Sequence, residues 1–276
     1  MTAIHLASRP VERIWGRETL PPGFAEPRAG SPIGEIWFDG GNPDAALLVK
    51  YLFTSEHLSI QVHPDDDAAR ARGFARGKSE AWFVLEAEPG AAIGFGLKTA
   101  VSAEALHAAA SDGSIEQLID WRPVRAGEFL YSPAGTIHAI GAGLALVEIQ
   151  QNLDLTYRLY DYGRPRELHL DAAIAVAERG PPAAPFAPYP RSAGRQVLIE
   201  GGAFVVERWT FTEPARIGSA EDQLQLVPIA SGGTLDGAPL TVGSVWRIER
   251  GALLDGQGGM DLLAAYPNAK VRDLIR

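Results

Sequence analysis

Leu58-Ser-Ile-Gln-Val-His63-Pro64 is the stretch from which the fold is first read. Successive side chains of an extended chain point to opposite faces, so Leu58, Ile60 and Val62 share one face while Ser59, Gln61 and His63 share the other. Apolar and polar residues alternating over six positions predict a half-buried strand. Pro64 cannot donate to a ladder and ends it, and Asp65, Asp66 and Asp67 start the turn or short helix that follows.

Working outward, short runs rich in Val, Ile, Leu, Phe and Trp recur at 46–53, 81–85, 144–150, 204–211 and 244–248, with 30 glycines and 20 prolines as turn markers between them. Many short strands separated by turn residues predict a mainly β sandwich or barrel. Helical patches decorate it: 102–110 is Ala-rich behind a Ser102 cap, Ser114-Ile-Glu-Gln117 fits a capping box, and 170–178 is Ala-rich with Asp171 in its first turn. Residues 231–237 (SGGTLDG) carry hairpin-turn chemistry and 240–248 (LTVGSVWRI) reads as the next strand. The Pro-rich stretch 180–191 (GPPAAPFAPYPR) continues neither a helix nor a central strand. The expected organisation is therefore a metal-binding catalytic unit over 1–180, a linker over 181–192 and a small β domain over 193–276. All six histidines precede the linker, so the last domain is expected to lack a metal site.

The bulk composition excludes several classes. The 276 residues suffice for one large or two smaller domains, and 46% hydrophobic with 21% charged residues is ordinary for a globular protein. Lys and Arg total 25 against 34 Asp and Glu, a formal charge of -9, which disfavours nucleic acid and anionic membrane as partners. An anionic substrate would need a locally basic pocket. With no cysteine there is no disulfide, thiol nucleophile or thiolate metal site, so a metal must use nitrogen and oxygen ligands. The chain shows neither a basic start followed by an apolar run nor any stretch of about 18 apolar residues, and a cytoplasmic protein is expected.

Taken alone, the polar face of 58–63 simply meets water, because a two-ligand match is a weak motif. Seventeen residues later Gly77-Lys-Ser-Glu80-Ala-Trp-Phe-Val-Leu85 opens an apolar strand with a carboxylate, costly to bury unless paired or coordinated. A Lys78–Glu80 pair at the strand edge is the simpler reading of this segment. The Pro/Gly turn of 131–141 (YSPAGTIHAIG) places His138 at the start of another strand, where by itself it could be a satisfied core histidine. Together Gln61, His63, Glu80 and His138 give two imidazoles, one carboxylate and one amide oxygen, a set suited to one zinc or similar divalent ion. With a single anionic ligand the ion would keep positive charge, able to polarise hydroxyl or carbonyl oxygens. Glu148, in an apolar strand, is either an acid/base group or a buried partner for an Arg. Arg158 and Lys78 could supply the basic pocket.

In this order and spacing, SIQVHPDD (59–66), GKSEAWFVL (77–85), SPAGTIHAIG (132–141) and EIQQNLDLTYRLYDYGR (148–164) resemble type I mannose-6-phosphate isomerases, a family of the cupin superfamily. The match covers about 15–176, with IGEIWF (33–38) as a weaker early element. The resemblance implies a cupin double-stranded β-helix (jelly-roll) with helical decorations plus a smaller C-terminal cupin-like domain. It also implies a zinc-dependent aldose–ketose isomerase interconverting mannose 6-phosphate and fructose 6-phosphate through a cis-enediol. By position, Gln61, His63, Glu80 and His138 would hold the metal, Lys78, Glu148 and Arg158 would be catalytic, and Lys78, Arg158 and Ser59 would touch substrate. Tyr162 stands where the family pattern has Trp, the helical insertion of the longest relatives has no room, and the C-terminal domain is short. The competing readings are an isomerase of a different phosphosugar, a cupin iron oxygenase and a non-catalytic sugar-binding or regulatory cupin. Gln61 disfavours the oxygenase by filling a position that oxygen needs. Lys78, Glu148 and Arg158 beside the metal set disfavour the regulator. His5, His57, His107 and His169 are expected to be structural or surface residues.

Overall fold

The computed structural model describes residues 3–24, 27–42, 44–218 and 223–275. Before the Pro-rich segment the chain forms β1 (Ala3–His5), β2 (Arg9–Arg17), β3 (Ile33–Phe38), β4 (Leu47–Phe53), β5 (Ile60–Val62) and β6 (Glu80–Ala87). These are followed by β7 (Ala92–Leu97), β8 (Ile119–Pro123), β9 (Phe129–Ser132), β10 (His138–Ile140), β11 (Leu144–Gln151) and β12 (Tyr157–Tyr160). Four helices interrupt them: α1 (Asp66–Arg70), α2 (Ala103–Asp112), α3 (Ile115–Leu118) and α4 (Leu170–Val176). The last third adds β13 (Tyr189–Ser192), β14 (Arg195–Ile199), β15 (Val205–Trp209), β16 (Ala215–Ile217), β17 (Leu224–Ala230), β18 (Thr234–Leu235), β19 (Ala238–Pro239), β20 (Trp246–Ile248), β21 (Ala252–Asp255) and β22 (Asp261–Tyr266).

Strand β11 shows how the alternation of side chains builds the layers. Leu144 and Leu146 point to a core shared with Ile93, Phe95 and Ile140, whereas Ala145, Val147 and Ile149 point to a core shared with Val206, Val227 and Leu263. The six-stranded sheet β2-β3-β4-β11-β6-β9 is thus apolar on both faces. One face packs on the five-stranded sheet β12-β5-β10-β7-β8, the other on the seven-stranded sheet β1-β20-β17-β22-β15-β14-β13. Beyond these, α2, α3 and α4 cover the outer side of the five-stranded sheet through Leu106, Ile115 and Ala173. The small sheet β16-β21-β18-β19 closes the far side of the seven-stranded one. The architecture is mainly β with decorating helices, as expected, and among the described residues no helix is long and apolar enough to cross a membrane.

Several local expectations change. Ser102 caps α2 by accepting a 3.1 Å bond from Ala105 N–H, but Ser114 does not cap α3. Its backbone is already helical (φ -66°, ψ -10°), and an N-cap requires the extended conformation. The Asp236-Gly237 pair, both at positive φ (49° and 84°), makes the tight turn between β18 and β19. The strand expected over 240–248 shrinks to β20, because Thr241 and Ser244 close a turn through Gly243 at φ 88°. At the Pro-rich segment, Leu97 N–H donates to Gly180 O at 3.2 Å, and Tyr189–Ser192 becomes a strand at the edge of the seven-stranded sheet, a place where Pro190 is tolerated. β1 crosses over to pair with β20.

Because the two large sheets share one apolar core, that core should fail as a unit. Leu263→Ala, at a fully buried position, is expected to cost about 2–5 kcal/mol. Urea unfolding followed by tryptophan fluorescence and by circular dichroism should give one coincident transition at a lower midpoint; two separated transitions would show that the layers unfold independently.

Candidate active site

The site lies at one end of the space between the six- and five-stranded sheets. Gln61 and His138 are register partners on β5 and β10, His63 follows β5, and Glu80 opens β6 across the gap. The loop after His63 is tied to the segment before Glu80: Lys78 N–H donates to Pro64 O at 3.0 Å and Gly77 N–H to Asp66 Oδ1 at 2.8 Å. A Cβ at Gly77 would collide with the backbone of Pro64, Asp65 and Asp66, so the close approach that sets His63 beside Glu80 requires glycine there. Asp65 caps α1 at the same turn, accepting from Ala68 N–H at 2.8 Å.

His63, Glu80 and His138 are each about 1% exposed and offer ligand atoms that all lie within 4.8 Å of one another. His63 Nε2 is 3.3 Å from Glu80 Oε1, and His138 Nε2 is 3.4 Å from Glu80 Oε2. The other ring nitrogens donate to backbone carbonyls, His63 Nδ1 to Leu155 O and His138 Nδ1 to Thr136 O, both at 2.9 Å. Those acceptors fix the hydrogen on Nδ1 and leave both Nε2 lone pairs facing the carboxylate. Burial lowers the pKa of His138 to about 4, and burial followed by the Lys78 charge lowers that of His63, so both rings are neutral near pH 7. Burial works to raise the Glu80 pKa, but Lys78 and His63 outweigh it and hold the carboxyl well below its usual range. Neither Glu80 oxygen receives a well-directed hydrogen bond; Lys78 Nζ makes an ion pair with Oε1 at 2.7 Å. Two neutral imidazoles and an ionised, under-satisfied carboxylate, buried and converging, fit a divalent cation.

Of the other anticipated residues, Gln61 adjoins this triad with its amide nitrogen 3.3 Å from His138 Nε2, while its oxygen accepts from Ser59 Oγ at 3.0 Å. A half-turn of the amide exchanges the two atoms. Lys78 Nζ also lies 3.4 Å from His63 Nε2; burial would lower its pKa, but Glu80 and Glu148 raise it, so it stays cationic. Arg158 pairs with Gln61 across β12 and β5 and so shares its face. Its buried Nε lacks a hydrogen-bond partner, and its pKa is depressed by burial and then by Arg166, with Asp161 opposing. His169 steadies it, accepting from Arg158 N–H at 3.2 Å through Nδ1. His5 lies tilted against Trp246, His57 packs edge-on to Trp121 and tilted against Tyr162, and His107 sits on the outer helix α2.

Glu148 is 4% exposed, and its buried partner is Lys50 rather than an arginine. Burial and the Glu80 charge raise its pKa, with Lys50 opposing. Lys50, Trp82, Glu35 and Trp37 all face this interior and were missed in the sequence. The available signal was a single lysine inside the otherwise apolar LLVKYLF of β4.

No family model matches the chain. Over 221 residues, 75% of this chain and 70% of the relative, it is 34% identical to the mannose-6-phosphate isomerase of Streptococcus mutans. Over 139 residues, 48% of this chain and 44% of the relative, it is 41% identical to a mannose-6-phosphate isomerase of Bacillus subtilis. A crystal structure of mannose 6-phosphate isomerase from Bacillus subtilis superposes with a TM-score of 0.84 at 26% identity, covering 96% of this chain and 100% of that one. The apo form of the Salmonella typhimurium enzyme shares the fold, with a TM-score of 0.73 at 17% identity over 96% of this chain and 98% of that one. Identity sustained over most of both sequences and a common fold along nearly the whole length show that the chain belongs to the mannose-6-phosphate isomerase family.

Proposed function

We propose that this chain interconverts mannose 6-phosphate and fructose 6-phosphate in the cytoplasm, using one zinc ion held by His63, Glu80, His138 and, through its amide oxygen, Gln61. The observation that carries the reading is the buried triad whose two Nε2 lone pairs and carboxylate converge within 4.8 Å, with Lys78 against it and Glu148 on the same sheet face. When bound, the ion supplies polarisation of the sugar oxygens and charge stabilisation as the enediol forms.

The chain's own residues provide the remainder. Aldose–ketose interconversion moves one hydrogen between C1 and C2, so a base must take a proton from one carbon and return it to the other. Glu148 is assigned this role: it is buried on the face of the sheet that carries Glu80, and burial and the Glu80 charge raise its pKa, making it a stronger base than a free carboxylate. Lys78 and Arg158 are assigned to the anionic substrate, Arg158 through the guanidinium whose Nε is left without a partner. Ser59 is assigned to the substrate beside them; its hydroxyl lies 3.0 Å from the Gln61 amide and accepts from the amide nitrogen once that amide is turned to offer its oxygen to the ion. In this reading 1–180 is the catalytic unit, because every assigned residue lies in it, 181–192 connects and ends in the edge strand β13, and 193–276 supports the site-bearing sheet from behind.

A coupled assay should detect fructose 6-phosphate formed from mannose 6-phosphate, lost on chelation and restored by zinc. A metal-loaded protein that turns over only another phosphosugar would transfer the assignment to that substrate. Glu148→Gln should lower turnover by about 10²–10⁴-fold while metal content stays at the wild-type level; retained activity would place the base elsewhere.

The metal-free protein should also lose stability in acid. The folded-state pKa of His138 (about 4) lies below its ordinary 6.5, so unfolded chains take up protons first as pH falls. The stability linked to this residue is complete above about pH 6.5 and disappears as pH drops toward 4. His63 and Glu80 shift in the same direction, whereas the raised Glu148 opposes them at the acidic end. Melting temperatures between pH 7 and 4.5 should fall more steeply for the wild type than for His138→Gln.

A further inference from the structure

Two adjacent glutamines at the end of β11 tie the segments that carry the metal-site residues to the six-stranded sheet. Gln151 serves the segment before Glu80: its N–H donates to Ser79 O at 3.0 Å, its Oε1 accepts from Ser79 N–H at 2.9 Å, and its Nε2 donates to Asp66 Oδ1 at 2.9 Å. Gln150 serves the loop that follows β11. It is 0% exposed and is the register partner of Glu80, so both side chains leave the sheet on the same face. Its Nε2 donates to Gln151 O and to Leu153 O, each at 2.9 Å. Two residues further on, Leu155 O accepts the 2.9 Å bond from His63 Nδ1. The carbonyl that orients His63 therefore stands on a loop whose first turn is held by the Gln150 amide.

The orientation of that amide is not free. A half-turn would set its oxygen against two carbonyl oxygens, so both N–H groups are engaged by the loop and Oε1 stays buried without a hydrogen-bond partner. Hydrogen bonding alone gives little reason for an amide at this position. It supplies a donor to Leu153 O, whereas Gln151 O already accepts from Leu153 N–H at 2.7 Å, and it buries an oxygen of its own that nothing satisfies among the described residues. What the two bonds do achieve is geometric. They fix the loop against β11, on the rung of Glu80, and with it the position of Leu155 O relative to the His63 ring. Such a bond decides which ring nitrogen carries the hydrogen, and hence which keeps a lone pair.

We propose that Gln150 is a positioning residue of the metal site: by holding the 151–155 loop it keeps Leu155 O on His63 Nδ1 and leaves the Nε2 lone pair for an ion. The assignment rests on the reading of His63 as a metal ligand. Groups behind a metal ligand set its tautomer and basicity, and their loss typically weakens metal binding or activity by about 10–100-fold. His138 gives an internal control, because its Nδ1 is held by Thr136 O, a carbonyl on a different segment, just before β10.

The test compares wild type, Gln150→Met and Gln150→Asn. Methionine keeps the length of the side chain and removes both donors, whereas asparagine keeps the amide and withdraws it by one methylene. In metal-free protein near neutral pH, ¹H–¹⁵N spectra of the imidazole nitrogens report the tautomer of each ring, with His63 and His138 assigned by their disappearance in His63→Gln and His138→Gln. In Gln150→Met, His63 should lose its Nδ1–H pattern while His138 keeps its own. The zinc dissociation constant, measured by competition with a chromogenic chelator, should rise by about 10–100-fold. An unchanged His63 pattern, an equal change at both histidines, or a wild-type zinc constant would each overturn the proposal. If Gln150→Met does not fold, Gln150→Asn decides by the same two readouts. If the wild type binds zinc without turning over mannose 6-phosphate, the isomerase reading fails and the zinc comparison still decides. If it binds no zinc, the metal reading fails, and the His63 pattern alone determines whether Gln150 positions that ring.

Discussion

Taking a carboxylate out of water costs several kcal/mol unless positive charge meets it, and Glu80 at 1% exposure is met on one side by Lys78 and on others by two imidazoles. Lys78 alone leaves the second oxygen facing His138, and neither oxygen gains a well-aligned hydrogen bond. The imidazoles cannot supply compensating charge by protonating, because burial makes them poor bases. A cation held by the three groups would relieve this imbalance. The short link from Pro64 to Lys78, the glycine at 77 and the carbonyls of Thr136 and Leu155 are the local features that hold the groups in that relation.

The six-stranded sheet gives the site its rigidity by being buried on both faces. In β6, Glu80, Trp82 and Val84 face the interior of the sandwich, whereas Ala81 and Phe83 face the seven-stranded sheet. The alternation in β11 and β4 is the same, so Lys50 and Glu148 point toward the chemistry while Val49, Tyr51, Val147 and Ile149 pack behind it. A slip of one residue would send the charged groups into the apolar core and the core residues into the site. The packing of the last third against this sheet therefore fixes the register of residues far from it in sequence.

Much of this was legible from local pattern. The alternation in 58–63 gave the shared face of Ser59, Gln61 and His63, although the strand itself is only Ile60–Val62 and Ser59 and His63 are buried rather than meeting water, and the spaced blocks around Glu80 and His138 brought the triad together. Two kinds of information were not local. The partner of Glu148 depends on which strand lies beside β11, and register with β4 supplies Lys50, whereas an arginine was the partner named in the structural alternative to an acid/base role. Turn geometry likewise decided between equal patterns: Ser114 fits a capping box by composition, yet the single-residue junction after Gly113 leaves it in helical backbone, and Gly243 breaks a run that reads as one strand.

The pairing of β1 with β20 joins residues 3–5 to residues 246–248. During synthesis β1 has no edge to join until Trp246–Ile248 have left the ribosome. Its addition to the seven-stranded sheet therefore follows the synthesis of β20, and the segment between them must be made while β1 is still unpaired.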